Sequence, residues 1–213
     1  MKTLTYWFDF VSPYAFLAWH QLPALVKKHH VQLKPVPVFL GGLLKHHQLL
    51  GPAEIPIKRQ WVYRDALRIA VMEGLLMQFP PVHPFLPLNA LRATIKTAQD
   101  APDKLELVIE DLFAAAWQAG HDLSSWRTVA GVLANHALSF SEEDCHAPEI
   151  KQLLRENTDA AIKAGVFGVP SFELEGQIFW GHDRISHLDY ILSEGDPLDP
   201  DLLAEALASP SGI

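Results

Sequence analysis

Ser12-Pro13-Tyr14-Ala15 closes the strand-like run Leu4–Phe10 and opens a helical pattern. The amino terminus of a helix presents unpaired N–H donors and about half a positive charge, a setting that favours a thiolate. Two cysteines spaced Cys-x-x-Cys at such a turn would exchange disulfides. Here Ser12 and Ala15 hold those two places. Ser12 has two readings. Serine followed by proline suits an N-cap and first helical residue, worth about 1 kcal/mol. The same hydroxyl can donate to a ligand thiolate, a charge-assisted bond worth roughly 1.5–3 kcal/mol. The readings are compatible, because the oxygen can accept while its hydrogen donates. As a covalent nucleophile Ser12 would need a base, and none of the 11 histidines is marked by its spacing as that partner. Any sulfur chemistry at this turn must borrow its thiol.

Two further motifs bear polar groups at turns. Val166-Phe167-Gly168-Val169-Pro170-Ser171 precedes a returning strand. Local sequence alone reads Val169-Pro170 as an ordinary trans dipeptide. Placed opposite the first helix, a cis bond would instead turn the Val169 N–H and C=O toward Ser12, where they could pair with a bound peptide backbone. In Phe179-Trp180-Gly181-His182-Asp183-Arg184, Asp183 is either the cap of a strand-to-helix turn or a receptor for an α-ammonium. In the second case Arg184 or nearby helix-start N–H groups would take a carboxylate. The one cysteine, Cys145, lies among acids that discourage a thiolate, so it is expected to be an ordinary thiol. No HExxH, paired CxxC or carboxylate cluster marks a metal site, and the pairs His29-His30 and His46-His47 have the wrong spacing on a helix.

The elements that must position these groups fall into three parts. Leu4–Phe10, the helical spacing from Tyr14 to His30, and the alternating run Val31–Leu40 read as a βαβ opening. Pro35 and Pro37 suit an edge strand, and Pro23 predicts a kink or restart within the helix. The middle carries helical patterning over 57–76, 88–99, 105–119, 126–137 and 148–164. Strand character returns in Ser171–Glu175, turns at Gly176 and continues in Gln177–Trp180. A short helix over 184–192 and a weak, fraying helical tail over 193–213 follow.

The chain has 213 residues, 49% of them hydrophobic, and a formal net charge of −8, which excludes a broad basic surface for nucleic acid. No run approaches the roughly 18 apolar residues needed to cross a bilayer. No signal peptide is read at Met1-Lys2-Thr3, and a cytoplasmic setting is expected.

In their order along the chain, Phe8–Tyr14, Gly165–Ser171 and Phe179–Arg184 resemble the thioredoxin-like family of 2-hydroxychromene-2-carboxylate isomerases and kappa-class glutathione transferases. Gly41-Gly42-Leu43, Lys58–Arg68, His83-Pro84-Phe85 and Asn89-Ala90-Leu91-Arg92 extend the resemblance over Leu4 to about Leu192. It implies an α/β thioredoxin-like fold interrupted by a large all-helical insertion, assembled as a homodimer. The expected division is 1–40 with 165–195 as the discontinuous thioredoxin-like domain, 41–164 as the insertion and 196–213 as a tail.

The resemblance further implies glutathione as cofactor or co-substrate. Ser12 would contact its sulfur, Val169 would pair with its cysteinyl backbone, and Trp180, Gly181, His182 and Asp183 would hold its γ-glutamyl end with Arg184 assisting. The implied reaction is isomerisation of a small aromatic carboxylate through reversible thiolate addition. Kappa-like conjugation and a non-enzymatic thioredoxin-like binding module are the alternatives. Lys45 lies near a family lysine proposed for the substrate carboxylate, with His46 and His47 as competitors and a solvated surface lysine as the plainer reading. Asn89 could face the same pocket, and Arg92 could face it or serve an internal ion pair. Gly51-Pro52-Ala53-Glu54 lacks an asparagine common in the family, and Trp61 replaces a common tyrosine.

Overall fold

Alternation of side chains across the first strand divides the core in two. In the computed structural model, which describes residues 1–210, β1 (Thr3–Phe8) sends Leu4, Tyr6 and Phe8 to one face and Trp7 to the other. The first face meets α1 (Pro13–His29) in an aromatic cluster. Tyr6 stacks between Phe8 and Phe172, with ring centroids 5.2 and 5.4 Å away, and Phe10 packs on Phe113 at 4.7 Å. The second face gathers Trp7, Val36, Val38, Leu43, Ala161, Val166 and Val169 into a smaller cluster.

The sheet has strand order β2-β1-β3-β4. β2 (Gln32–Pro37) runs parallel to β1, with Thr3 opposite Gln32 and Phe8 opposite Pro37. It lies at the edge, which is where Pro35 and Pro37 are tolerated. β3 (Ser171–Leu174) is antiparallel to β1, and β4 (Gln177–Trp180) antiparallel to β3. Glu175 and Gly176 join the last two with φ of +51° and +81°, the twisted two-residue turn in which glycine is favoured.

Of the kink or restart expected at Pro23, the restart is excluded, because α1 runs through it as one helix. Pro23 lies on the exposed side of the helix, while Phe16, Leu17, Trp19, Leu22 and Leu25 stay buried. The second strand stops at Pro37, because Leu40 already belongs to α2 (Leu40–His46).

Between β2 and β3 the described residues form only helices: α2, α3 (Pro56–Met72), α4 (Leu88–Asp100), α5 (Leu105–Trp117), α6 (Trp126–Asn135), α7 (Glu142–Cys145) and α8 (Pro148–Lys163), with short 3-10 turns. Residues of α4, α5 and α6 share the larger core with β1 and α1. The sequence turns back through α9 (Ile185–Glu194) to α10 (Pro200–Ala208), which is exposed throughout. The end of the expected tail, 211–213, lies outside the described residues. No described helix is long and apolar enough to cross a membrane.

Candidate functional site

Ser12 stands where β1's extension meets α1, and its hydroxyl does two things at once. The oxygen accepts the Ala15 N–H at 3.2 Å, capping the helix, and the hydrogen is donated to the Val169 carbonyl at 3.2 Å. The cap and the contact across the cleft are therefore joined in one side chain that is 6% exposed. Val169-Pro170 is cis. Among the described residues, Ser12 is the donor that reaches the Val169 carbonyl.

The third motif folds against the second. Pro170 O accepts the Gly181 N–H at 2.9 Å, and Ser171 lies opposite Trp180 in the β3–β4 ladder. Trp180 is 52% exposed and leans over the 167–168 backbone, with its ring 4.9 Å from that of Phe167. A Cβ on Gly168 would stand 2.8 Å from Trp180 Nε1, so a larger residue there would have to displace the indole. Gly181 has φ of +109°, a backbone state that side chains other than glycine's rarely adopt.

His182 lies parallel to the Tyr14 ring at 5.6 Å, so the first turn of α1 and the turn after β4 form one wall. The Tyr14 hydroxyl donates to Asp65 Oδ2 on α3 at 2.8 Å. Burial, then Asp65, pushes the Tyr14 pKa well above the usual phenol range, so its proton stays in place. Burial holds His182 below the ordinary imidazole value, against the opposing charge of Asp183. At the rim Asp183 and Arg184 form an ion pair that holds Asp183 below the usual carboxylate range. Two opposite charges stand together next to a capped helix start.

Asp9 supports this turn from beneath and has no exposed surface. Its carboxylate accepts the Val11 N–H at 3.1 Å and the Leu40 N–H at 2.8 Å, and its carbonyl accepts the Ser12 N–H at 3.2 Å. Burial pushes its pKa up to about 7, while the Leu40 and Val11 amides pull it down.

The structure thus brings together Ser12, Val169, Trp180, Gly181, His182, Asp183 and Arg184. Lys45 is exposed on α2, near the loop that leads to Val169, because His47 bonds Val166 O at 3.2 Å. Asn89 belongs to another set of contacts: its amide nitrogen donates to Ser124 O at 2.9 Å, and its Oδ1 meets His146 Nε2 at 2.7 Å. Arg92 is half-buried, and its Nε has no partner. Two surface depressions lie elsewhere. One of about 690 Å³ runs between α1 and α9 beside Gln21, Lys28, Glu73 and Asp189, and one of about 980 Å³ lies beside α5 and α6.

Asp9, Asp65 and Tyr14 as a contact to His182 were not picked out by sequence reasoning. Asp9 had a signal, a lone carboxylate within an otherwise apolar run. Asp65 had none, since its bond to Tyr14 spans 51 residues.

Residues 3–193 match the DSBA-like thioredoxin domain family. The chain is 26% identical to glutathione S-transferase kappa 1 of Rattus norvegicus, covering 95% of this chain and 97% of that protein. It is 25% identical to 2-hydroxychromene-2-carboxylate isomerase of Sphingobium xenophagum, with 90% and 98% covered. A solved structure of 2-hydroxychromene-2-carboxylate isomerase superposes with a TM-score of 0.82 at 21% identity, over 97% of this chain and all of that one.

Proposed function

As the chain belongs to the DSBA-like thioredoxin domain family, in which its relatives include isomerases and glutathione transferases, we propose that it is a glutathione-dependent isomerase of the 2-hydroxychromene-2-carboxylate type. One observation carries this reading: the Ser12 hydroxyl bridges the start of α1 and the Val169 carbonyl. A cysteine-free turn built this way has places for both parts of a cysteinyl ligand. The backbone of such a ligand fits the Val169 C=O, and its sulfur fits the Ser12 hydroxyl at the helix start.

Glutathione would supply the thiolate that adds reversibly to an aromatic carboxylate substrate. The chain's own residues do the rest. Val169 C=O accepts a backbone N–H, as in strand addition. That acceptance frees the Ser12 hydrogen, which rotates toward sulfur while Oγ keeps the Ala15 N–H. The unpaired N–H groups of the first turn add positive potential at the same point. Tyr14 and His182, both held neutral, form a wall without adding charge. Asp183 can accept an α-ammonium and Arg184 can donate to a carboxylate, each giving up part of its bond to the other. Lys45, exposed on α2, is the candidate for the substrate carboxylate.

The decisive experiment is mass balance with glutathione and a hydroxychromene carboxylate. Isomerisation leaves substrate mass and total glutathione unchanged. A thioether product that consumes both identifies conjugation instead, the reading favoured by the kappa transferase relative. Calorimetry should show a clear preference for glutathione over its analogue lacking the γ-glutamyl group. Equal binding of the two, or none, overturns the enzymatic reading.

A further inference from the structure

The peptide that carries Ser12 is held at both ends. Its N–H donates to Asp9 O at 3.2 Å, and its C=O, that of Val11, accepts from His83 Nε2 at 2.9 Å. The preceding carbonyl, Phe10 O, accepts the Trp117 Nε1–H at 2.8 Å. Both side-chain donors come from the helical segment between β2 and β3, 72 and 107 residues away in sequence. A carbonyl can only accept, so His83 must carry its hydrogen on Nε2, and its bare Nδ1 then accepts the Tyr63 hydroxyl at 3.0 Å. Tyr63 lies on α3, and its hydroxyl is also 3.3 Å from His83 O.

We propose that His83 is a positioning residue for Ser12: it fixes the Val11–Ser12 peptide plane, and Tyr63 fixes the tautomer that lets it do so. The consequence for the site is direct. Ser12 Oγ lies 3.2 Å from both Ala15 N and Val169 O, so a small tilt of its peptide lengthens both contacts at once. The ring is packed edge-on to Trp117 at 5.3 Å and to Phe79 at 5.9 Å, which limits its rotation. Burial keeps it below the ordinary imidazole value against the opposing pull of the Val11 hydrogen bond, with the Arg59 charge acting in the same direction as burial. The inference deepens the glutathione reading, since Ser12 placement matters through the thiolate it would meet.

The test has a readout that needs no ligand: hydrogen exchange of the Ser12 amide, followed by NMR in the full chain alongside global stability by denaturant. His83→Phe keeps a ring against Trp117 but removes the donor. It should speed Ser12 exchange about tenfold while amides inside β1 stay protected. His83→Gln restores an N–H donor and should recover most of the protection. Tyr63→Phe should give a smaller increase and a mixed tautomer in the His83 ring nitrogen shifts, and it serves alone should His83→Phe not fold. With glutathione bound, His83→Phe should raise the thiol pKa while His83→Gln does not. Unchanged Ser12 exchange in both His83→Phe and Tyr63→Phe, or no recovery with His83→Gln, overturns the proposal. Failure of the wild-type chain to bind glutathione overturns the functional reading instead, and the amide measurement still decides the role of His83.

Discussion

Replacing Ser12 by alanine separates structural from chemical roles of one oxygen. In the free protein the change removes the acceptor for Ala15 N–H, a capping loss of about 1 kcal/mol. It also leaves the buried Val169 carbonyl without its donor, which costs about 1–3 kcal/mol where water cannot enter. The two losses share a side chain and relax together, so about 1–3 kcal/mol in total is expected. For a domain of this size each kcal/mol lowers Tm by about 2–4 °C. In the glutathione complex the same change removes a charge-assisted bond worth roughly 1.5–3 kcal/mol. At 1.36 kcal/mol per unit, the bound thiol pKa should rise by about 1–2 units.

Ser12→Thr keeps the hydroxyl and should show neither effect in full. Thermal unfolding reads the first quantity, and ultraviolet titration of the thiolate at saturating glutathione reads the second. An alanine variant that loses stability but titrates like wild type would show that Ser12 is a cap alone. One that matches wild type within about 0.5 kcal/mol in stability would refute the hydrogen-bond accounting itself.

Gly168→Ala should push the half-exposed Trp180 indole aside at a cost of about 1 kcal/mol, shifting tryptophan fluorescence and weakening glutathione binding several-fold. Unchanged fluorescence would show that the loop yields instead. Cys145 is fully buried, and burial followed by Asp144 pushes its thiol up to about 11. It should therefore resist alkylation in the native protein near pH 8 and react only on unfolding, as thiol counting in and out of denaturant will show. Asp9 should leave a signature in stability against pH. A carboxyl whose folded pKa is raised contributes stability that is complete below its unfolded value of 3.8 and is lost as pH rises through about 7. The difference between wild type and Asp9→Asn in urea should shrink by up to about 1.4 kcal/mol per pH unit across that window, and a flat difference contradicts the assignment.

The sequence was legible wherever the cause was local. Ser12-Pro13 marked the start of α1 and Gly176 marked the hairpin, although Glu175, read as strand, belongs to the turn with it. The strand reading of Val31–Leu40 runs one residue into α2, whose start has no mark in the local sequence. Gly41 and Gly42 hide its helical character, and its first N–H is satisfied by Asp9, 31 residues away. α7 did carry a local signal, the Ser141–Asp144 capping box, within a run noted only for its charge. The bond between Ser12 and Val169 spans 157 residues, and no periodicity encodes it. The sequence could aim Val169 at the first helix only by supposing a cis bond, which the family resemblance supported; the same resemblance offered Asn89 to the pocket, and in the structure its side chain bonds Ser124 O and His146 Nε2.

The distances in sequence also bear on how such a site can be maintained. A turn with cysteines at both places has a covalent bond available to fix it in one redox state; Ser12 and Ala15 have none. Here the turn is gripped by separate hydrogen bonds: Asp9 to Ser12 N–H, Trp117 to Phe10 O, His83 to Val11 O and Ser12 itself to Val169 O. Each is worth only about 0.5–1.5 kcal/mol net, so no single one determines the geometry. Two of the four donors lie in the helical segment, whose helices α4, α5 and α6 share the core of the sheet. It follows that substitutions deep in that segment, remote from any ligand, should alter the Ser12 site through the carbonyls they hold, and that the helices act as part of the site's support.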